Sequence, residues 1–167
     1  MDIILNRRSV RKYDLTKKVT YEDMLDLCKY GEAAPSARRQ KGREYIIIDD
    51  LSIISKLSTI SKGALILQNC ESCIAVIGRN PETLVTPDMQ PQDLSAATQN
   101  ILLMATELGL GACWNGIHPQ INVVERIRKI LELDENVVPL SLIHIGYMDE
   151  EKNPNSGFDE NRVFYFK

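Results

Sequence analysis

Apolar and polar positions alternate along the chain in a way that predicts helices and strands in turn. Apolar residues at helical spacing predict helices over 2–12, 20–34, 51–61, 93–108 and 121–131. Short β-branched and apolar runs predict buried strands over 45–48, 73–77 and 139–146, and the aromatic tail at 162–167 is strand-like. Helix and strand follow one another without a long linker, which indicates an α+β fold or a three-layer sandwich with a mixed sheet.

Two of these helices carry further signals. Thr20 and Asp23 have capping-box spacing, so they predict the start of the second helix. The helix over 93–108 is apolar on several faces, and such a helix is usually buried in a core or in an interface. The apolar tail must also cover something, and on a chain of this size a second subunit is the natural candidate.

Length and composition favour one globular domain over residues 1–167. Apolar residues make up 44% of the chain and charged residues 26%, which excludes a disordered or collagen-like chain. The net charge of −3 gives no whole-chain signal for nucleic-acid binding. No apolar run approaches the ~20 residues that a membrane helix needs, and the first residues lack the order of a signal peptide. We therefore expect a cytoplasmic protein with neither a nucleic acid nor a membrane as its partner.

The four cysteines favour packing over chemistry. Cys70 and Cys73 form a CxxC pair, but a helical stretch precedes the pair and a buried strand follows it. A thioredoxin-like site has the opposite order, with the pair opening a helix whose N-terminus lowers the thiol pKa. A zinc site would need about four ligands, and no second pair is present. Buried packing is the favoured interpretation, with redox or metal binding as the alternative.

The segment Arg7–Tyr13, RRSVRKY, is the first candidate for chemistry. On a helix, Arg7 and Arg11 would share one face, with Arg8 and Ser9 beside them. Guanidinium groups bind phosphate oxygens in pairs, so the cluster could hold a phosphate. A solvated basic helix end, whose positive charge complements the helix dipole, is an equally good interpretation. The residues alone do not decide between this and a phosphate site.

Two further segments have the composition of ligand-binding loops. Ser36 and the amides behind it, in APSARRQKG (34–42), could bind a polar group, although a plain surface loop has the same composition. The glycines of GLGACWNG (109–116) allow a flat ligand to approach the backbone near Trp114. That segment follows a helix, so it is not a dinucleotide phosphate turn. No local catalytic motif accompanies these segments, which indicates that a cofactor supplies any chemistry.

Taken together, these segments resemble the nitroreductase family of FMN-dependent oxidoreductases. The resemblance includes the opening RRSxRxY, the APSA turn, a helix similar to DxxAAxQNxLLxAxxLGLGxxW, and the C-terminal IGY and FDENRV stretches. The matching residues include Arg7, Arg8, Ser9, Arg11, Tyr13, Pro35, Ser36, Ala37, Asp93, Gln99, Asn100, Gly109, Gly111, Trp114, Ile145 and Phe158. The similarity spans nearly the whole chain.

The resemblance implies a three-layer sandwich with a mixed central sheet and an obligate homodimer that exchanges its C-terminal tail strands. It implies two FMN sites at the dimer interface. Arg7, Arg8 and Ser9 would hold the phosphate and the ribityl chain, and Arg11 would lie near the N1/O2 edge of the flavin. The resemblance also implies that Pro35, Ser36 and Ala37 reach the flavin from the second subunit. Trp114, Asn115 and Gly116 would line the isoalloxazine ring, and Arg39 completes the implied cofactor-binding set.

The implied reaction is ping-pong. NADH or NADPH would give a hydride to the flavin N5 and leave, and a nitroaromatic, quinone or free flavin would then accept the electrons. Two alternatives remain from the sequence: an FMN-binding carrier or sensor with little turnover, and a specialised family branch such as a flavin-destroying or dehalogenating enzyme.

The sequence departs from the family pattern at two places. Arg39 occupies the position of an asparagine that usually contacts flavin, and Lys41, Gly42 and Arg43 follow where the family has glutamine, proline and tryptophan. Gly157 occupies the position of a basic residue that can pair with the phosphate, and Lys152 is the candidate substitute.

Overall fold

The computed structural model describes residues 2–155 and 157–167, which contain five α-helices and four β-strands. The helices are α1 (Ile3–Asn6), α2 (Tyr21–Glu32), α3 (Leu51–Ser58), α4 (Gln90–Glu107) and α5 (Ile121–Leu131). The strands are β1 (Arg43–Ile48), β2 (Ser72–Gly78), β3 (Leu110–Gly116) and β4 (Val138–Tyr147). Short 3₁₀ turns lie at Ala37–Arg39, Gly63–Asn69, Pro81–Thr83, Pro87–Met89 and Glu160–Arg162.

The four strands form one sheet in the order β1-β2-β4-β3, and every neighbouring pair is antiparallel. The expected mixed sheet is therefore wrong for these strands. The parallel pairing found within the described residues is an isolated bridge between Ser9 and Ala112, at the free edge of β3.

Helices cover both faces of the sheet, so the predicted three-layer arrangement is confirmed. On one face, α2 and α4 pack over a cluster that includes Leu27, Ile101 and Ile143. On the other face, α3, α5 and the turn at 63–69 enclose a second cluster around Leu57 and Leu142. Residues along β1 and β2 alternate between these two clusters, as the two-residue period of a strand requires.

The capping box of α2 is present as predicted. The Thr20 hydroxyl accepts from the Asp23 amide at 3.1 Å, and the Asp23 carboxylate accepts from the Thr20 amide at 3.2 Å. α2 ends at Glu32, slightly before the expected end near Ala34. α4 begins at Gln90, three residues earlier than expected, because Pro91 is well suited to a first helical turn.

The expected helix over 2–12 is wrong beyond Asn6. The amide of Val10 donates to the Ala112 carbonyl at 3.0 Å, and the amide of Asp14 donates to the Tyr147 carbonyl at 2.9 Å. These bonds to the sheet replace the i→i−4 bonds of a helix, so the chain is extended from Arg7 onwards. Arg7 and Arg11 therefore do not share a helical face.

Two other strand expectations differ from the structure. β3 was not predicted, because its glycines are typical of a loop, yet it pairs with β4 along its whole length. The tail at 162–167 forms no strand within the described part of the chain, and its side chains are exposed. A β-strand needs backbone hydrogen bonds to a neighbouring strand. The tail has no such neighbour in the described part of its own chain, so it forms no strand here.

A pair of glycines allows the N-terminal segment to lie directly on the sheet. Gly111 of β3 and Gly146 of β4 are opposite each other in register. A Cβ at Gly111 would lie 2.6 Å from the Val10 side chain, and one at Gly146 would lie 2.7 Å from the Tyr13 ring. The Tyr13 hydroxyl donates to the Val10 carbonyl at 2.7 Å, which closes the segment over these two glycines.

Replacing Gly111 should loosen this contact. Gly111→Ala puts a methyl group where Val10 and Met148 already lie, and such overpacking costs about 1–3 kcal/mol of the free energy of unfolding. Gly116→Ala is the matched control on the same strand, since no atom lies within 4 Å of its added Cβ. Urea titrations of both variants measure the difference. Equal stabilities would contradict the close approach.

His144 lies in the centre of the sheet. It is opposite Cys73 on β2 and Cys113 on β3, and it is fully buried. Burial lowers the pKa of its imidazole to about 4, and the positive charge of Arg11 adds to this effect. The ring is therefore neutral at physiological pH.

The chain has two histidines, so NMR can follow this ring directly. We expect His144 to remain neutral at pH 5, while stability decreases as the pH falls from about 6.5 towards 4. The sign follows because the unfolded chain, with the ordinary pKa, binds the proton first. Titration of the His144 ring protons near pH 6.5 in the folded protein would contradict this account.

Candidate functional site

The N-terminal segment is tied to the C-terminal end of β4 by one carboxylate. Glu150 Oε1 accepts from the backbone amide of Arg11 at 2.5 Å and from that of Lys12 at 3.2 Å. The Asp149 amide donates to the Lys12 carbonyl at 3.0 Å. These bonds fix the main chain that carries Arg11 beside the sheet.

Basic side chains from this region act on the Cys113 thiol of β3. Burial raises the pKa of this thiol, and the positive charges of Arg11, Lys152 and Arg7 oppose that rise, in decreasing order. Lys152 Nζ also lies 2.9 Å from Glu150 Oε2, and its side chain is 26% exposed.

Arg8 differs from its neighbours. Its guanidinium donates to the Asn153 carbonyl, so it binds the C-terminal segment. It also lines a cavity of about 350 Å³ with Leu110 and Met148. The structure therefore brings Ser9 to β3, through its bridge with Ala112, whereas the Arg8 and Arg11 guanidinium groups donate to the carbonyl groups of Asn153 and Ser9 in their own chain.

Asn115 presents an unpaired polar group on the same face of β3 as Cys113. Its side chain is buried, and Nδ2 has no hydrogen-bond partner among the described residues. A Cβ at Gly63 would lie 2.6 Å from Asn115 Oδ1, so only glycine leaves this space free. Gly116 is exposed, with open space around its Cα. A buried donor without a partner is costly, and a ligand that accepts its hydrogen bond would remove the cost.

Trp114 points to the opposite face of the sheet. It is half-buried and packs against the cluster beneath α2 and α4. Adjacent residues of a strand point to opposite faces, so the side chains of Trp114 and Asn115 cannot line the same pocket within one chain.

The turn at 34–42 is held by α4. Asp93 accepts from the Ala37 amide at 2.8 Å and from the Gln40 side chain at 2.7 Å. Between these anchors, Arg38 and Arg39 are exposed and have φ values of 47° and 57°, in the left-handed region that residues other than glycine seldom adopt. The hydrogen bonds of this turn among the described residues do not reach 7–11 or 114–116.

Arg43, at the family's tryptophan position, has a structural role. Its side chain is buried and donates to the carbonyl groups of Glu32 at 2.9 Å, Ala34 at 2.5 Å and Pro35 at 3.1 Å. It also pairs with the Glu32 carboxylate at 3.1 Å. Arg43 thus satisfies carbonyl groups at the end of α2 and shapes the turn that follows.

Sequence reasoning missed the contributions of Glu150, Asp93 and Gly63. Asp93 stands in the helix motif that carries the family resemblance, which was the one signal for it. Glu150 is bound to a segment about 139 positions earlier in the chain, and no local pattern indicates such a contact.

The expectation that the cysteines pack in the interior is confirmed. All four are buried free thiols. Burial raises the pKa of the Cys73 thiol most clearly of the CxxC pair, so it is protonated and unreactive at neutral pH. Within 2–155 and 157–167, no helix is long and apolar enough to span a bilayer.

Comparisons with known proteins agree with this geometry. The profile of the nitroreductase family matches residues 64–147. An Archaeoglobus fulgidus protein assigned as an NADH dehydrogenase/NAD(P)H nitroreductase is 33% identical over 92% of this chain and 87% of its own length. A solved Clostridium acetobutylicum structure assigned as an NADH oxidase is 36% identical, covers 99% of both chains and superposes with a TM-score of 0.94. An FMN-dependent nitroreductase from Clostridium difficile is 29% identical over 99% of this chain and 98% of its own, with a TM-score of 0.90. The extended basic segment on β3, the sheet between two helical layers and these similarities together show that the chain belongs to the nitroreductase family.

Proposed function

We propose that this protein is an FMN-dependent oxidoreductase that transfers electrons from NADH or NADPH to a nitroaromatic, a quinone or a free flavin. The observation that carries the proposal is the basic N-terminal segment, whose Ser9 pairs with Ala112 at the free edge of β3, the strand on which the buried Asn115 amide has no partner among the described residues. The names of the relatives support the same cofactor and cosubstrates. Residues 1–167 form one domain in this proposal, and the enzyme acts in the cytoplasm.

The residues of this region suit an anionic aromatic cofactor. FMN, when bound, accepts a hydride from the nicotinamide and passes the electrons to a second substrate in a ping-pong sequence. Arg7 and Ser9 provide a cation and a hydroxyl for its phosphate and ribityl chain. Asn115 offers a buried donor for a polar atom of the ring system, and the open space over Gly116 admits a flat group.

A second copy of the chain would complete the site. The tail exposes Phe158, Phe164, Tyr165 and Phe166 at 74%, 80%, 81% and 93%. Aromatic residues exposed to this degree are typical of a segment that packs against another subunit. The turn bearing Pro35, Ser36, Ala37 and Arg39 forms no hydrogen bond to Arg7 among the described residues, and in this proposal a partner subunit brings it to the flavin.

Anaerobic stopped-flow absorbance tests the proposed activity. Protein loaded with FMN should lose its flavin absorbance when NADH or NADPH is added and regain it when a nitroaromatic or a quinone follows. Stable FMN binding with negligible bleaching would favour a flavin carrier or sensor instead, for which the altered turn at 38–43 is the supporting observation. A colourless protein that does not bind added FMN would contradict both functions.

Arg7 should contribute strongly to FMN affinity. A charge-assisted contact to phosphate is worth about 1.5–3 kcal/mol, so Arg7→Ala should raise the FMN dissociation constant roughly ten- to a hundredfold. Lys17→Ala is the control, because Lys17 is 62% exposed and pairs with Asp14 at 3.3 Å. Quenching of flavin fluorescence measures both constants. Equal constants for the two variants would show that the arginine is only a surface charge.

Arg11 should adjust the reduction potential of the flavin. Its guanidinium donates to the Ser9 carbonyl at 3.3 Å, and its charge acts on the buried Cys113 and His144. The alternative is that Arg11 faces solvent or pairs with an acidic neighbour such as Asp14. In the single chain Arg11 is exposed, and Asp14 bonds to Thr16 and Lys17 instead. A cation here favours the reduced, more negative flavin.

Arg11→Gln should therefore lower the midpoint potential while FMN remains bound. Lys12→Gln, which removes a neighbouring exposed charge, is the control. Redox titration of both fully loaded variants measures the effect, and an unchanged potential in Arg11→Gln would rule out this role.

A further inference from the structure

A cavity of about 500 Å³ lies between α3 and α5, on the face of the sheet opposite α2 and α4. Three cations, two hydroxyl groups and one apolar side chain line it: Ser55, Lys56, Thr59, Arg126, Lys129 and Ile130. The three cations are exposed, and no carboxylate lines the cavity among the described residues. We call this cavity the basic groove. Its lining suits an anionic group that enters from solvent.

Acidic residues of the same elements do not compensate the charge of the basic groove. Residues 51–70 contain two lysines and neither aspartate nor glutamate. Glu125, the one acidic residue of α5, pairs with Arg128 at 2.6 Å. Among the described residues, neither Lys56 nor Lys129 forms an ion pair. In a chain with a net charge of −3, this local excess of positive charge is a specific feature.

Arg126 fixes the shape of the basic groove. Its guanidinium donates to the carbonyl groups of Thr59 at 2.8 Å and Ile60 at 3.0 Å, where α3 ends. The last carbonyl groups of a helix have no partner within the helix, so this cation satisfies them and ties α5 to α3. Lys56 and Lys129 make no such bonds among the described residues, and their charges remain available to a ligand.

A short segment connects the basic groove to the buried amide of Asn115. Ile60, at the end of the groove, comes three residues before Gly63, where an added Cβ would lie 2.6 Å from Asn115 Oδ1. Three residues of chain span at most about 11 Å. The Ala64 amide donates to the Ser61 carbonyl at 3.1 Å, so the chain turns here and the real span is shorter. The basic groove and the Asn115 amide are therefore neighbours.

A ligand that reaches from Asn115 to the basic groove must be long and must carry anionic groups at its far end. The hydride donor of the proposed reaction has this form, because its nicotinamide reaches the flavin while its pyrophosphate and adenosine extend away. Lys62 is exposed on the connecting segment, where the pyrophosphate would pass. NADPH differs from NADH by one phosphate monoester on the adenosine ribose. Such a group carries about −1.5 to −2 charges at pH 7, which two lysines can balance.

We propose that the basic groove binds the 2′-phosphate of NADPH through Lys56 and Lys129, and that Lys62 contacts the pyrophosphate. The enzyme then prefers NADPH to NADH as its hydride donor. The two hydroxyl groups of the groove can donate to the same phosphate, and Ile130 offers the adenine an apolar contact. This inference rests on the proposed FMN function, because the bound flavin is what brings the nicotinamide to Asn115.

Binding of adenosine 2′,5′-bisphosphate separates the basic groove from the flavin chemistry. This fragment carries the 2′-phosphate without a nicotinamide, and AMP is the same fragment without the 2′-phosphate. Calorimetry with the FMN-loaded protein should show that the bisphosphate binds about tenfold more tightly than AMP. The double variant Lys56→Gln/Lys129→Gln should remove most of this difference. Lys29→Gln is the control and should retain it, because Lys29 is 74% exposed on α2, across the sheet.

Stopped-flow reduction of the flavin distinguishes the roles of the three lysines. The double variant Lys56→Gln/Lys129→Gln should raise the apparent dissociation constant of NADPH about tenfold and leave that of NADH within about twofold. Lys62→Gln should raise both constants about threefold, because both nucleotides carry the pyrophosphate. Dihydronicotinamide mononucleotide, which lacks the adenosine half, should reduce the double variant and the wild type equally well. Thermal unfolding shows that each variant is folded.

The failures of the two proposals are distinguishable. If NADH or NADPH bleaches the flavin but the wild-type protein binds the bisphosphate and AMP equally, the groove assignment is wrong and the proposed function stands. A preference for NADPH that survives in the double variant would also overturn the assignment, because the 2′-phosphate would then lie elsewhere. Equal losses of NADPH and NADH affinity in the double variant would overturn it as well. If the wild-type protein binds no FMN, both proposals fail.

Discussion

The close approach of the N-terminal segment to the sheet is the constraint on which the rest of the site depends. Gly111 and Gly146 face each other across β3 and β4, and Val10 and Tyr13 occupy the space where their side chains would be. This contact takes a segment that would otherwise continue α1 and holds it extended beside β3. This packing carries the arginines near Val10 to the sheet. The positive charge of the site therefore depends on two glycines, which have no side chain that would block the approach.

The site combines this packing with an imbalance of charge. Basic residues from both ends of the chain are joined by Glu150, and the neighbouring strand β3 presents a buried amide without a partner among the described residues. Each feature alone would destabilise the folded chain, through repulsion in one case and through a lost hydrogen bond in the other. An anionic, flat cofactor resolves both, which is the physical reason that FMN suits this region. Binding of the cofactor should accordingly stabilise the folded state by mass action.

Sequence reasoning succeeded where the signals are local. The capping box at Thr20 and Asp23 is a contact between residues three positions apart, and the β-branched run of β2 needs only its own composition.

Sequence reasoning failed where a long-range hydrogen bond overrides the local pattern. The extended course of the chain after Asn6 depends on the carbonyl of Ala112, and β3 becomes a strand only by pairing with β4. Glycines that are typical of a loop are here the condition for close packing. Family resemblance grouped Arg7, Arg8, Arg11, Trp114 and Asn115 in one site, which stays a prediction. In the single chain the Arg8 side chain bonds to Asn153, and Trp114 packs against the cluster beneath α2 and α4.

A crystal structure of the protein with bound FMN tests the central claim most directly, namely that the cofactor lies where the N-terminal segment meets β3. The account predicts that the phosphate lies within hydrogen-bonding distance of Arg7, and that Asn115 Nδ2 donates to the flavin ring. FMN found away from β3, with the Asn115 amide still lacking a partner, would contradict it.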